Sequence, residues 1–226
     1  MESVNAGDDA GLGEAQRRHW EATYATHPGL YGGQPSVAAV DAAAKFAEHG
    51  VRSVLELGAG HGRDALFFAR SDFDVHASDF SPVSLAQLAA EAVRQGVADK
   101  VTTVEHDARH PLPFTAGSFD AVYAHMLLCM ALSTQQIHSL VHEVRRILRP
   151  GGIFVYTVRH TGDAHYGRGI THGDDIYEHG GFAVHFFSRT LVDDLADGWI
   201  LRGVHPFAEG DLPRRLWRVT QTTPER

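Results

Sequence analysis

The 226-residue chain has a single cysteine, Cys129, so no internal disulfide can form. That cysteine sits in Met126 to Leu132, the longest apolar run, and reads as a small core residue rather than a nucleophile. The run is too short to span a bilayer, and no membrane association is expected. Basic residues are also scarce: 20 Lys and Arg stand against 28 Asp and Glu, for a formal charge of −8 and a pI near 6.0. Without a Lys/Arg cluster, the electrostatic footprint of a nucleic-acid-binding surface is missing. Residues 1–13 have neither the basic start nor the apolar core of a signal peptide, which predicts a cytoplasmic location. Being rich in Gly, Ala and Asp and aperiodic, they are expected to form a disordered tail. The length suits one domain, residues 14–226.

Glycine, in contrast, is placed with purpose. In Val54-Leu55-Glu56-Leu57-Gly58-Ala59-Gly60-His61-Gly62-Arg63-Asp64 an apolar strand ends in an acid and a tight turn. Without Cβ atoms at Gly58, Gly60 and Gly62 the backbone can take otherwise closed dihedrals and approach a ligand, and the helix that follows offers free N–H groups. The dinucleotide fingerprint G-x-G-x-x-G would need a glycine where Arg63 stands, which weakens a nicotinamide reading. A second strand, Asp74 to Asp79, ends in an acid roughly 20 residues beyond the turn, where a carboxylate can accept both hydroxyls of a ribose. Asp79 is therefore the candidate ribose ligand. A third strand, Val101 to Val104, runs into Glu105-His106-Asp107-Ala108, a fourth covers Ser118 to His125, and Leu148-Arg149-Pro150-Gly151-Gly152 feeds a fifth.

The pattern E-x-G-x-G-x-G resembles the first motif of the class I S-adenosylmethionine (SAM) methyltransferases, in which the turn wraps the methionine end of the cofactor. The segments around the fourth and fifth strands look like later motifs of the same family, and the likeness runs from Val37 to Val158. It implies SAM as cofactor and S-adenosylhomocysteine as product. It further implies that Glu56, Gly58, Ala59, Gly60, Gly62, Arg63, Asp79, Phe80, Asp107, Ala108 and His125 surround the cofactor, with Asp107 on the adenine amino group and Phe80 against the adenine ring. Ala124-His125-Met126-Leu127 resembles neither the Asn/Asp-Pro-Pro-aromatic signature of base-amino methyltransferases nor the Pro-Cys of cytosine-C5 enzymes. Arsenite methyltransferases, which need several cysteines, are disfavoured too. Near the N-terminus, Trp20, Tyr24 and Tyr31 form an aromatic group, and aromatic faces attract a sulfonium cation. Tyr24 and Tyr31 are taken as cofactor contacts, whereas Trp20 shares a helical face with Tyr24. Tyr31-Gly32-Gly33-Gln34-Pro35 also resembles a segment of tellurite-resistance-type and thiopurine-type methyltransferases.

Residues 14–50 read as N-terminal cap helices: Glu14 to Tyr24, then a helix capped by Ser36 and closed by Gly50. Ser81-Pro82 opens another helix, and Ser133 with Gln136 forms a capping box for a third that runs to Leu148. Strands alternating with such helices predict an α/β, Rossmann-like fold: a mostly parallel sheet covered on both faces, with the ligand at the carboxyl ends of the strands. Ser188 caps a last helix, and Trp199 to Val204 and Leu216 to Thr222 read as two final strands. The total suits the family's seven-stranded sheet, in which the last strand is inserted antiparallel.

Between the fifth strand and the Ser188 helix, residues 159–187 form a glycine-rich, histidine-rich connection expected to act as a lid insertion over the acceptor site. The irregular histidine spacing matches no standard ligand pattern, so no metal site is expected. An imidazole can remove a proton near neutral pH. His160, which directly follows the fifth strand, is the leading catalytic candidate, with His125 second. His160, His165, Tyr166 and His185 are expected to contact substrate, while His172 and His179 read as solvated. The resulting expectation is a SAM-dependent methyltransferase acting on a small molecule. Its rivals are a non-catalytic SAM-binding regulatory module and, more distantly, a nicotinamide oxidoreductase. The accepting atom and the oligomeric state are left open.

Overall fold

The computed structural model describes residues 6–210 and 214–225. Seven strands form one sheet: β1 (Ser53–Leu57), β2 (Asp74–Asp79), β3 (Val101–Glu105), β4 (Phe119–His125), β5 (Leu148–Arg159), β9 (Ile200–Glu209) and β10 (Arg214–Thr222), in the order β3-β2-β1-β4-β5-β10-β9. The five strands from β3 to β5 are parallel neighbours, while β10 runs antiparallel to both β5 and β9. The order reverses at β1, and the crevice at such a reversal is where open α/β sheets bind ligands.

Strand alternation sends the core to two sides. Leu55, Leu57, Val122, Ala124, Phe154 and Tyr156 pack with α5 (Thr134–Ile147) and α6 (Arg189–Leu195). Val54, Ala121, Tyr123, Ile153 and Val155 point the other way, onto α2 (Val37–Glu48), α3 (Arg63–Arg70) and Leu88 of α4 (Pro82–Arg94). Serines start the helices as expected. The hydroxyls of Ser36, Ser81 and Ser188 accept from the backbone N–H three residues on, and Ser133 forms the reciprocal capping box with Gln136. The edge strand β9 carries Pro206, which suits an edge because proline donates no ladder hydrogen bond. No helix among the described residues is long and apolar enough to cross a membrane.

Three elements depart from the sequence reading. Helix α1 spans Ala6–Thr26 rather than starting at Glu14, so residues 6–13 of the expected tail are helical; residues 1–5 lie outside the described residues. Gly11 and Gly13 disfavour a helix intrinsically, but Leu12 packs against the buried cluster of Ala131, Ile176 and Ala183. The connection 159–187 is also not irregular throughout. It holds a three-stranded antiparallel sheet, β6 (Ile170–Gly173), β7 (Ile176–His179) and β8 (Phe182–His185). Its glycines turn these short strands, with Gly173, Gly180 and Gly181 all at positive φ. Finally, β9 continues to Glu209, well beyond Val204.

Besides Leu12, the rings of His19 and Trp20 in α1 pack on Phe182 of the lid sheet, and one α1 side chain hydrogen-bonds its backbone. Gln16 donates from Nε2 to the Gly181 carbonyl (2.9 Å) and accepts the Ala183 N–H at Oε1 (3.1 Å), as a neighbouring strand would.

Candidate active site

A cavity of about 450 Å³ opens at the carboxyl ends of β1, β2, β4 and β5, roofed by α1 and the lid sheet. The glycine turn forms one wall. Gly58, Gly60 and Gly62 have φ of 70°, 54° and 89°, the left-handed region that side chains avoid. The turn is stitched to β2: the N–H groups of Gly58 and Ala59 both donate to the Ser78 carbonyl, and Gly60 N–H donates to Asp79 Oδ2 at 2.8 Å. Asp79 Oδ1 accepts from Ser81 N–H at 2.9 Å. Burial pushes the Asp79 carboxyl up to about 6 despite these donors. Two backbone donors occupy only part of a carboxylate's capacity, so it retains acceptor positions for hydroxyl groups.

Glu56, at the end of β1, is 3% exposed, and its Oε2 has no hydrogen-bond partner among the described residues. Burial, with Asp64 and Asp79 nearby, drives this carboxyl well above its ordinary range. A buried carboxylate with one unpartnered oxygen on a cavity wall fits a ligand that brings a cation or hydrogen-bond donors. Asp64 anchors the adjoining helix starts, accepting the Ser36 N–H and hydroxyl, both at 2.7 Å.

Tyr24 is buried, with its hydroxyl beside Gly60: a Cβ there would lie 2.8 Å from the oxygen. The Arg63 guanidinium carbon lies 5.6 Å above the Tyr31 ring. Tyr24, Tyr31, Glu56, Gly58, Ala59, Gly60, Arg63, Asp79, Phe80, Asp107, Ala108, His125 and His165 all line the cavity. Both oxygens of Asp107 face the Arg109 guanidinium, whose Nε is 3.0 Å from each. Burial alone would raise the Asp107 carboxyl; these bonds override it and hold it below the usual range.

Four expected site residues fall elsewhere. Gly62 does not line the cavity, and its missing Cβ makes room for Leu88, whose Cγ would lie 2.3 Å away. His160 stacks on Trp217, ring centroids 4.5 Å apart, and its Nδ1 accepts the Gly162 N–H. Its neighbour Arg159 lines the cavity, so alternation at the end of β5 turns His160 to the opposite side. Tyr166 donates to Asp175 outside the cavity. His185 is buried, its Nδ1 2.7 Å from the Leu132 carbonyl. His179, expected to be solvated, lines the cavity while staying exposed; His172 pairs with Glu178 away from it.

His125 lines the cavity with both ring nitrogens engaged. Thr157 Oγ1 accepts the Met126 N–H (3.0 Å) and is hydrogen-bonded to His125 Nδ1 at 2.9 Å. Nε2 lies 3.1 Å from Arg63 Nη2, which can only donate, and 3.3 Å from Glu209 Oε2, so both ring nitrogens have protein partners in either neutral tautomer. The hydrogen bond from His125 is the main reason the Glu209 carboxyl is held down at about 2. Arg63 Nη2 completes the group, 3.3 Å from Glu209 Oε1.

Glu209, Arg159 and Arg109 line the cavity without having been singled out from the sequence. Alternation along β5 could have flagged Arg159, since one of residues 159 and 160 must face inward. Nothing local marks Glu209, which lies 146 positions from Arg63.

Fold and site together define a Rossmann-like domain built for a nucleoside cofactor. Residues 54–152 match the family described as a methyltransferase domain. The chain is 31% identical over 150 residues to the malonyl-(acyl-carrier protein) O-methyltransferase of Enterobacter lignolyticus strain SCF1, covering 66% of this chain and 54% of that protein. It thus spans about half the length of that relative. A Burkholderia thailandensis 1,6-didemethyltoxoflavin N1-methyltransferase, solved with its substrate and S-adenosylhomocysteine, superposes with a TM-score of 0.74 at 18% identity, over 99% of this chain and 93% of that one. The 4+2 cyclase SpnF superposes with a TM-score of 0.69 at 18% identity, over 92% and 94%. Residues 54–152 therefore carry a methyltransferase-domain match, and the solved structures share the chain's Rossmann-like fold.

Proposed function

We propose that the protein transfers a methyl group from SAM to a small-molecule acceptor. The observation that carries this reading is the pair of buried carboxylates at the reversal of the sheet: Glu56 with an unpartnered oxygen, and Asp79 with acceptor positions left free. A cofactor with an ammonium group at one end and a ribose diol in the middle supplies donors of the kind each lacks. The cavity volume suits small ligands rather than a polymer.

Bound SAM would supply an electrophilic methyl carbon on a sulfonium. The chain's own contribution is then positioning, an effect worth roughly 7–11 kcal/mol in favourable cases. Glu56 holds the ammonium end of the nucleoside–amino acid frame and Asp79 the ribose at its middle. Tyr24 and Tyr31 present aromatic groups beside the turn, where a cation gains from their faces. The network of Thr157, His125, Glu209 and Arg63 stiffens the wall at the end of β4. We assign His125 a positioning role, because both its nitrogens are engaged.

The likeness to the 4+2 cyclase SpnF gives a specific second reading, a protein of the same fold whose reaction is not methyl transfer. Calorimetric titration with SAM, S-adenosylhomocysteine and NAD tests the cofactor, and NAD binding in place of SAM would refute the assignment. Incubation with methyl-labelled SAM and a panel of small acceptors, read by mass spectrometry, tests the reaction. Tight SAM binding with no labelled product would favour the second reading.

A further inference from the structure

The lid side of the cavity is basic, although the whole chain carries a charge of −8. Arg159, at the end of β5, is 9% exposed. Its Nε and Nη2 bind Asp163 at 3.2 and 2.5 Å, Nη2 also lies 2.8 Å from His165 Nδ1, and its guanidinium carbon sits 5.0 Å above the Phe186 ring. Asp163 does not line the cavity, and it is saturated by Arg159 and by the N–H groups of His165 and Arg215. Asp163 thus aims the guanidinium from behind. Arg159 Nη1 has no hydrogen bond among the described residues and is the donor left for a ligand. Arg168 and His179 line the same side, and Arg168 has no acid partner among the described residues. The acids that line the cavity, Glu56, Asp64, Asp79, Asp107 and Glu209, all lie outside the lid. Beside the cations, Met130, Tyr177 and Phe182 offer an apolar wall.

Resting on the methyltransferase reading above, we propose that the acceptor is a small molecule with an apolar body and an anionic oxygen group, a carboxylate or a phosphate, held by Arg159 and Arg168. Planar guanidinium groups match such anions in a forked geometry. The cofactor's own carboxylate does not account for this cluster. Arg159 ends β5, two strands from the glycine turn after β1, a separation of roughly 10 Å.

The test is calorimetric titration of benzoate, phenyl phosphate and benzamide into the full-length protein saturated with S-adenosylhomocysteine, which occupies the cofactor's carboxylate position. At least one anion should bind about tenfold or more tightly than benzamide, as a charge-assisted hydrogen bond allows. The stronger of the two anions distinguishes carboxylate from phosphate. Arg168→Ala, on an exposed and unpaired side chain, should cut the preference several-fold while leaving S-adenosylhomocysteine affinity unchanged. Arg159→Lys, which keeps a charge beside Asp163, should do the same. Benzamide binding as well as both anions, no anion binding, or an unaltered preference in Arg168→Ala would each overturn the inference. Failure of S-adenosylhomocysteine itself to bind would instead overturn the methyltransferase reading.

Discussion

Cofactor affinity should follow the ionisation of Asp79. Ribose hydroxyls donate hydrogen bonds, so the competent acceptor is the carboxylate, and burial has moved its titration up to about 6. At pH 8 the group is almost wholly ionised, while at pH 5 about a tenth remains so, which predicts an affinity for S-adenosylhomocysteine about tenfold weaker at pH 5. Glu56, also raised by burial, adds to the effect with the same sign. Stability of the ligand-free protein runs the other way. The folded form binds the Asp79 proton more tightly than the unfolded chain, so its contribution is fully present below pH 3.8 and lost as pH rises through about 6, a span of about 3 kcal/mol. In Asp79→Ala the charge-assisted bonds disappear, and affinity at pH 8 should fall by about 1.5–3 kcal/mol, roughly 10- to 150-fold. That variant also strands the N–H groups of Gly60 and Ser81, so thermal unfolding should accompany the titrations. Isothermal calorimetry from pH 5 to 8 reads both effects. Wild-type affinity that is flat across this range, or an alanine variant equal to wild type at pH 8, would refute the placement of the ribose on Asp79.

Three further outcomes are expected. Gly62→Ala should destabilise the protein by about 2–5 kcal/mol in denaturant unfolding, because a Cβ at φ 89° would be strained and would press on the buried Leu88; an unchanged midpoint would contradict the packing role. His160→Ala should leave single-turnover methyl transfer at saturating SAM unchanged, since the imidazole sits on Trp217 outside the cavity, whereas a loss of a hundredfold or more would restore it as a base. Cys129, wholly buried with its thiol pushed up to about 11, should resist iodoacetamide in the native protein at pH 8, and rapid labelling would show that the site opens.

Where local chemistry dominates, sequence and structure agree. The glycine turn, the serine caps and the β2 acid each follow from residues adjacent in the chain, and each sits where its spacing indicated. Disagreement begins where long-range packing decides. Helix α1 forms through Gly11 and Gly13, with Leu12 reaching a cluster made by residues 131, 176 and 183. The lid strands are four residues each and interrupted by glycine, too short for period-two alternation to stand out. The histidine-rich segment drew attention by residue type, yet side-chain direction sorts it. Alternation turns Arg159 inward and His160 outward, and a backbone carbonyl claims His185. Glu209 reaches the site only because the antiparallel end of the sheet brings β9 back toward Arg63.

That antiparallel end also constrains the order in which the chain can fold. β9 is synthesised before β10, yet its sheet neighbour among the described residues is β10, which fills the place between it and β5. Until Arg214 to Thr222 emerge, β5 presents an open edge and β9 has nothing to pair with. A nascent chain can therefore assemble the five parallel strands while Glu209 is still detached from His125 and Arg63. Completion of the sheet and of that wall of the cavity is one event, set by the last strand to arrive, and a deletion within β10 should cost both together.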